Sequence, residues 1–183
     1  MPFTVTETDL PGVLILEPKA FGDERGFFYE SFNARDFKEA TGVDTTFVQD
    51  NHSRSAKGVL RGLHYQIKHP QGKLVRVTEG EVFDVAVDLR KSSQHFGKWT
   101  AVTLSAANRR QLWIPPGFAH GFLVTSHSAD FIYKTTTYWD RNDECCVLWS
   151  DQNISVNWPQ TTNLILADKD KFGTGLMEVT HID

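Results

Sequence analysis

At 183 residues the chain can bury a full core without disulfide or metal staples, and its length fits one domain spanning residues 1–183. With 23 acidic against 19 basic residues the net charge is −4, which leaves no basic face for nucleic acid and excludes that class of partner. The two cysteines are the neighbours Cys145 and Cys146. Adjacent cysteines rarely meet disulfide geometry, so two ordinary thiols in a reducing, cytoplasmic setting are expected. The first residues lack a basic segment followed by an apolar run, and no stretch approaches the roughly 20 apolar residues of a membrane span, so no membrane association is expected.

In chain order, alternating apolar and polar residues dominate and predict strands at 13–16 and 27–32. A helix is then expected over Ala34–Thr41, with Asn33 capping its first turn, Asp36 favourable near its amino end and Gly42 ending it. Further strands are expected at 47–52, 59–66, 73–78, 82–89, 99–104, 111–114, 118–124, 131–137 and 146–148, with a short turn at 163–168. Segments 73–78 and 82–89 are joined through Glu79-Gly80 and read as a hairpin, with the glycine supplying the turn. In 82–89 the odd positions are large and apolar while the even ones from 84 on are acidic or small, as in a strand with one face in a core. Strands so regularly spaced, with so little helix, predict an all-β sandwich or barrel.

Chemistry concentrates in Arg61-Gly62-Leu63-His64 and Gly72-Lys73-Leu74. Histidine titrates near neutrality, arginine offers a planar fork to phosphate oxygens, and lysine stabilises charge developing on an oxygen. Together they suit an anionic carbonyl compound, although spacing alone leaves open that His64 is a satisfied core histidine among solvated cations. Pro115-Pro116-Gly117 forces a turn that delivers His120 to the next strand, where His120, Phe122 and Val124 share a face. Arg61 and His64, three apart, would point to opposite faces of an ideal strand unless Gly62 marks a bulge. The rival for a histidine-rich barrel is a metal centre. The seven histidines, at 52, 64, 69, 95, 120, 127 and 181, contain no His-x-His pair, so no metal or other cofactor is expected. Proton transfer beside a ketone, run by side chains, is the chemistry that results.

Six segments run in order over nearly the whole chain: Phe21-Gly22-Asp23-Glu24-Arg25-Gly26, Phe47-Val48-Gln49-Asp50-Asn51-His52-Ser53, Leu60-Arg61-Gly62-Leu63-His64, Gly72-Lys73-Leu74-Val75-Arg76, Gly80-Glu81-Val82-Phe83-Asp84-Val85-Ala86-Val87-Asp88 and Ile114-Pro115-Pro116-Gly117-Phe118-Ala119-His120-Gly121-Phe122. They resemble the signature blocks of the dTDP-4-dehydrorhamnose 3,5-epimerases. The resemblance implies a metal-free, cupin-type jelly roll with a few short helices, acting as a homodimer on a dTDP-sugar in dTDP-L-rhamnose synthesis. By the same resemblance His64 is the base beside the C4 ketone, Asp170 its paired carboxylate, Tyr133 the acid on the opposite face and Lys73 the cation at the ketone oxygen. Arg25 and Arg61 match diphosphate contacts. Gln49, Asn51 and His120 match contacts to the phosphates and hexose, with Asp50 grouped among them. Glu30, Glu144 and Lys169 match nucleotide contacts, and Tyr138 or Trp139 the platform under thymine. The strand holding Arg25 and Glu30 is expected to come from a partner subunit.

Each residue also has a plainer reading. Tyr133 could be core, Asp170 a turn cap, Glu144 part of a solvated loop, and Asp84 structural support for Lys73 or Arg76. The alternatives in function are an epimerase inverting one centre, a 3,4-ketoisomerase of the same fold, or a non-catalytic sugar-nucleotide binder, the last having no need for His64, Asp170 and Tyr133 together.

Overall fold

The computed structural model describes residues 3–180 and 182. Its strands form two large antiparallel sheets that face each other as a cupin-type jelly roll. The first runs in the order β1 (Phe3–Glu7), β2 (Leu14–Pro18), β10 (Gln111–Ile114), β7 (Lys73–Glu79), β12 (Ser128–Thr135) and β5 (Gln49–Ala56). The second runs β13 (Glu144–Cys146), β6 (Leu60–Gln66), β11 (Phe118–Val124), β8 (Glu81–Asp88) and β9 (Trp99–Ser105). A small hairpin of β3 (Phe21–Asp23) and β4 (Gly26–Phe28) stands apart from both.

Three apolar clusters hold these layers. Val75, Val82, Ala86, Leu112, Phe122 and Phe131 fill the space between the sheets. Leu63, Val85, Val87 and Leu123 sit on the outer side of the second sheet, covered by Ile154, Trp158, Leu176, Val179 and Ile182 from the carboxy-terminal segment. Burying a side chain such as Leu63 or Leu123 contributes about 1.5–3 kcal/mol. Phe37 of the helix α1 (Ala34–Thr41) packs with Phe3, Leu16 and Trp113 on the first sheet. The helix follows its sequence signals: Asn33 accepts from the backbone N–H of Arg35 and Asp36, and Gly42 closes it at φ 73°.

Several expectations change. β7 and β8 lie in different sheets, so Glu79-Gly80 is a corner between layers and not a hairpin turn. Gly80 has φ +74°, and a Cβ there would lie 1.9 Å from the Ser128 carbonyl oxygen, so no side chain fits this corner. β8 is buried on both faces, not one: Val85 and Val87 meet the carboxy-terminal cover while Asp84 and Ala86 look into the barrel. The strand expected at 27–32 is only the short β4, and its apolar residues Phe27 and Phe28 are exposed. The strand expected at 47–52 runs on to Ala56, because its polar residues line an edge strand. Segment 131–137 begins earlier, at Ser128, and 146–148 shifts to 144–146. The turn expected at 163–168 lies further on, as the short helix α2 (Asp168–Lys171). β1, in which Phe3 and Val5 alternate with Thr4 and Thr6, lies outside the expected strands.

Candidate active site

A cavity of 290 Å³ opens between the two sheets. A bulge in β6 brings His64 to it. β6 pairs with β11 so that His64 faces His120 and Arg61 faces Phe122, three steps along one strand against two along the other. The extra residue places Arg61 and His64 on the same cavity despite their spacing. Gly62 permits this, with φ +113° and a hypothetical Cβ only 2.6 Å from Gly121 Cα and the His120 carbonyl oxygen. The Arg61 Nε–H donates to Ser55 Oγ at 3.0 Å, which aims the guanidinium along the cavity wall.

His64 Nε2 lies 2.5 Å from Asp170 Oδ1. α2 supplies Asp170, whose backbone N–H donates to the Ala167 carbonyl and whose residue is 2% exposed. With Nε2 committed to the carboxylate, Nδ1 is the ring nitrogen left to take a proton. Cys146 faces His64 across the β13–β6 pairing, with Sγ 3.8 Å from Asp170 Oδ1. Burial, reinforced by Asp170, pushes the Cys146 thiol up to about 12. Among the described residues, His64, Cys146 and Asp170 are the group whose donor atoms could hold a metal ion, all lying within 4.8 Å of one another.

Lys73 is buried at the start of β7, and its ammonium donates to the His64 carbonyl oxygen at 3.3 Å. Burial pulls Lys73 down to about 8, against Glu144 and Asp84, which favour its charged form. Behind it, His120 Nε2 lies 3.1 and 3.0 Å from the two carboxylate oxygens of the fully buried Asp84. Burial lowers the His120 pKa and raises that of Asp84, while their mutual pairing opposes both shifts.

Tyr133 stands on the first sheet, so the cavity places it across from His64 on the second. β12 sets it between Asn51 of β5 and Val75 of β7. Burial raises the Tyr133 phenol, Glu144 adds to the rise, and Arg61 opposes it. Asn51, His120, Glu144 and Lys169 also line the cavity, and the Lys169 ammonium donates to Glu144 at 2.7 Å.

Other candidates lie at or beyond the rim. Gln49 Nε2 donates to Asn51 Oδ1 at 2.8 Å, and its Oε1 accepts from the Trp139 backbone N–H at 3.0 Å. Tyr138 and Trp139 are largely exposed and neither lines the cavity. Asp50 points to the other face of β5, where it pairs with Lys134 at 2.8 Å. Arg25 and Glu30 are exposed and away from the cavity, and Arg25 pairs with Asp23 in the β3–β4 hairpin.

Sequence reasoning missed His52, Ser53, Phe122, Phe131 and Ala167 as cavity walls. Parity with His120 and Tyr133 was the available signal for the two phenylalanines, which stack at 4.1 Å. It also missed Gln66, buried behind the rim. Gln66 Nε2 donates to the carbonyls of His69 and Tyr138, and Oε1 accepts from the Asp140 N–H, so one side chain clamps the loop carrying Tyr138 and Trp139.

Known proteins resemble this chain in sequence and fold. The family model described as dTDP-4-dehydrorhamnose 3,5-epimerase matches residues 7–178. The dTDP-4-dehydrorhamnose 3,5-epimerase of Shigella flexneri is 58% identical over 178 residues, covering 97% of this chain and 98% of its own. That of Pseudomonas aeruginosa is 57% identical, covering 92% and 93%. The crystal structure of dTDP-6-deoxy-D-glucose-3,5-epimerase from Legionella pneumophila, in complex with dTDP-4-keto-L-rhamnose, superposes with a TM-score of 0.95 at 50% identity, covering 97% and 95%. The chain belongs to the dTDP-4-dehydrorhamnose 3,5-epimerase family.

Proposed function

We propose that this cavity inverts C3 and C5 of dTDP-4-dehydro-6-deoxy-D-glucose to give dTDP-4-dehydro-L-rhamnose, a step of dTDP-L-rhamnose synthesis for surface polysaccharide. The observation that carries the reading is the placement of His64 with Asp170 on one sheet and Tyr133 on the facing one, with Lys73 beside His64. His64 Nδ1 removes the proton next to the C4 ketone, and the released electron pair moves into the carbonyl to form an enolate. Asp170 orients the ring and stabilises the imidazolium that forms. The Lys73 ammonium holds the charge developing on the ketone oxygen. Tyr133 returns a proton from the opposite side, which inverts the carbon. A second round at the other carbon completes the conversion.

The cavity volume suits the hexose, which leaves the nucleotide at the mouth. Arg61, Lys169 and Asn51 supply donors along that path, His120 and Glu144 contact the substrate from the cavity wall, and Gln49 links Asn51 to the loop of Tyr138 and Trp139. One of those two rings is the platform for thymine. The dTDP-4-keto-L-rhamnose held by the Legionella neighbour, the same compound as the product named above, supports the choice of a dTDP-sugar.

The working unit is a homodimer of single-domain chains, residues 1–183. Phe21, Phe27 and Phe28 are exposed on a hairpin detached from both sheets, and Arg25 on that hairpin is far from its own cavity. Passing this hairpin to a second copy covers the rings and delivers Arg25 and Glu30 to the partner's site. No helix among the described residues is long and apolar enough to cross a membrane, and two unpaired thiols suit the cytoplasm.

The direct test is proton NMR of the substrate incubated with the purified chain. Product signals inverted at both C3 and C5 are expected. Inversion at one carbon, migration of the ketone, or binding without conversion would each replace this reading with another.

A further inference from the structure

Cys146 has no part in the proposed reaction, yet it stands against the two groups that drive it. It faces His64 in the β13–β6 pairing, and its Sγ is 3.8 Å from the same Asp170 oxygen that meets His64 Nε2 at 2.5 Å. The imidazole, thiol and carboxylate donor atoms lie within 4.8 Å of one another. In a tetrahedral zinc site, with bonds of about 2.0–2.3 Å, donor atoms stand about 3.3–3.6 Å apart. The sulfur and oxygen are near that spacing, and the His64–Asp170 contact needs to open by only about 0.8 Å to reach it. A set of one nitrogen, one sulfur and one oxygen suits a borderline-soft cation, unlike the all-oxygen sets of magnesium and calcium. The nearest cation on the same segment, Lys169, is held by Glu144 at 2.7 Å, so it opposes a metal less than a free lysine would.

We propose that Zn²⁺ and divalent cations of its class bind across His64, Cys146 and Asp170 and so switch the enzyme off. The inhibitory part rests on the reading of His64 as the base. The cation takes the lone pair of Nε2, the remaining ring proton then resides on Nδ1, and neither nitrogen can accept a proton from substrate. The Cys146 thiol gives its proton to solvent, so one proton is released for each metal bound and no electron is transferred. Coordination to sulfur offsets the cost of forming a thiolate in this buried setting.

The test uses Co²⁺ as a spectroscopic probe and Zn²⁺ as inhibitor on the full chain, comparing wild type with Cys146→Ala, Cys146→Ser and Cys145→Ala. Cys145 is the control because its thiol pairs with Tyr65, away from Asp170. Wild type and Cys145→Ala are expected to show a thiolate-to-cobalt absorption band and release of one proton per metal, and both Cys146 variants to lack the band. Outer partners of metal ligands are worth about 10–100-fold in affinity. Losing the sulfur ligand itself should therefore raise the half-inhibiting Zn²⁺ concentration at least about tenfold, each variant being normalised to its own metal-free rate. No thiolate band in wild type, unchanged Zn²⁺ sensitivity in the Cys146 variants, or full turnover with the site filled would overturn the proposal. Failure of the underlying reading looks different: His64→Ala would turn over like wild type while wild type still showed the Cys146-dependent band.

Discussion

His120 and Asp84 form a second imidazole–carboxylate pair, parallel in chemistry to His64 and Asp170 but with the carboxylate fully buried behind a cavity-lining ring, Nε2 being about equidistant from both carboxylate oxygens at 3.1 and 3.0 Å. Asp84 also favours the charged form of Lys73. Replacing it with asparagine should therefore weaken the enolate-stabilising cation without touching substrate. The expected result for Asp84→Asn is a lower kcat with its alkaline limb moved to lower pH, together with a loss of stability of about 1–3 kcal/mol from the disturbed buried pair. A pH–rate profile beside a denaturant titration checks both. An unmoved limb would separate Asp84 from Lys73.

The proposed role of Lys73 at the ketone oxygen makes a prediction about pH. Its amine falls from an ordinary 10.5 to about 8 in the fold, chiefly through burial. Activity that needs the ammonium should decline as pH rises through about 8, and Lys73→Arg, whose guanidinium stays charged, should lose that limb.

The same burial makes a stability prediction with a definite sign. Between about 8 and 10.5 the unfolded chain holds a proton that the folded chain does not, so stability rises with pH across that window and the penalty is full below it. Lys73→Met should abolish turnover yet stabilise the protein at pH 7 by about 1–3 kcal/mol, as seen by urea denaturation. A destabilised methionine variant would mean that the buried amine is better satisfied than its single 3.3 Å bond to the His64 carbonyl implies.

Much of this site was legible in the sequence, and the reasons differ by residue. The helix at 34–41 was readable because Asn33 and Gly42 are local signals that need no tertiary partner. The Gly62 bulge was anticipated from the conflict between Arg61 and His64, since parity is also local. Asp84 was ambiguous because an acidic residue in an apolar strand reads as a wet face. Only the second buried face of β8, created by segments far along the chain, turns it inward. The corner at Gly80 was taken for a hairpin because a glycine turn looks alike whether the next strand pairs or crosses to the other sheet. Gln66 gave no signal, since its three partners come from loops whose positions depend on the whole fold.

Gln66 offers a test of binding separate from chemistry. Gln66→Leu frees the loop of Tyr138 and Trp139 while leaving His64, Asp170 and Tyr133 in place. The expected outcome is a KM raised by roughly tenfold with kcat within about twofold, in line with a stacking contribution of about 1–3 kcal/mol per base. Steady-state kinetics of Trp139→Ala and Tyr138→Ala alongside it identify the stacking ring, because only that variant should match the Gln66 effect on KM. A fall in kcat alone would place the loop's role in chemistry.

The central assignment, His64 as base and Tyr133 as opposing acid, is tested most directly by solvent exchange. Substrate incubated in deuterated water with wild type, His64→Ala and Tyr133→Phe is followed by proton NMR at C3 and C5. Wild type should incorporate deuterium at both carbons. His64→Ala should slow exchange at both by about 10²–10⁴-fold. Tyr133→Phe should still exchange but without inversion, because His64 can return a deuteron only to the face it was taken from. Undiminished exchange with His64→Ala would contradict the assignment outright.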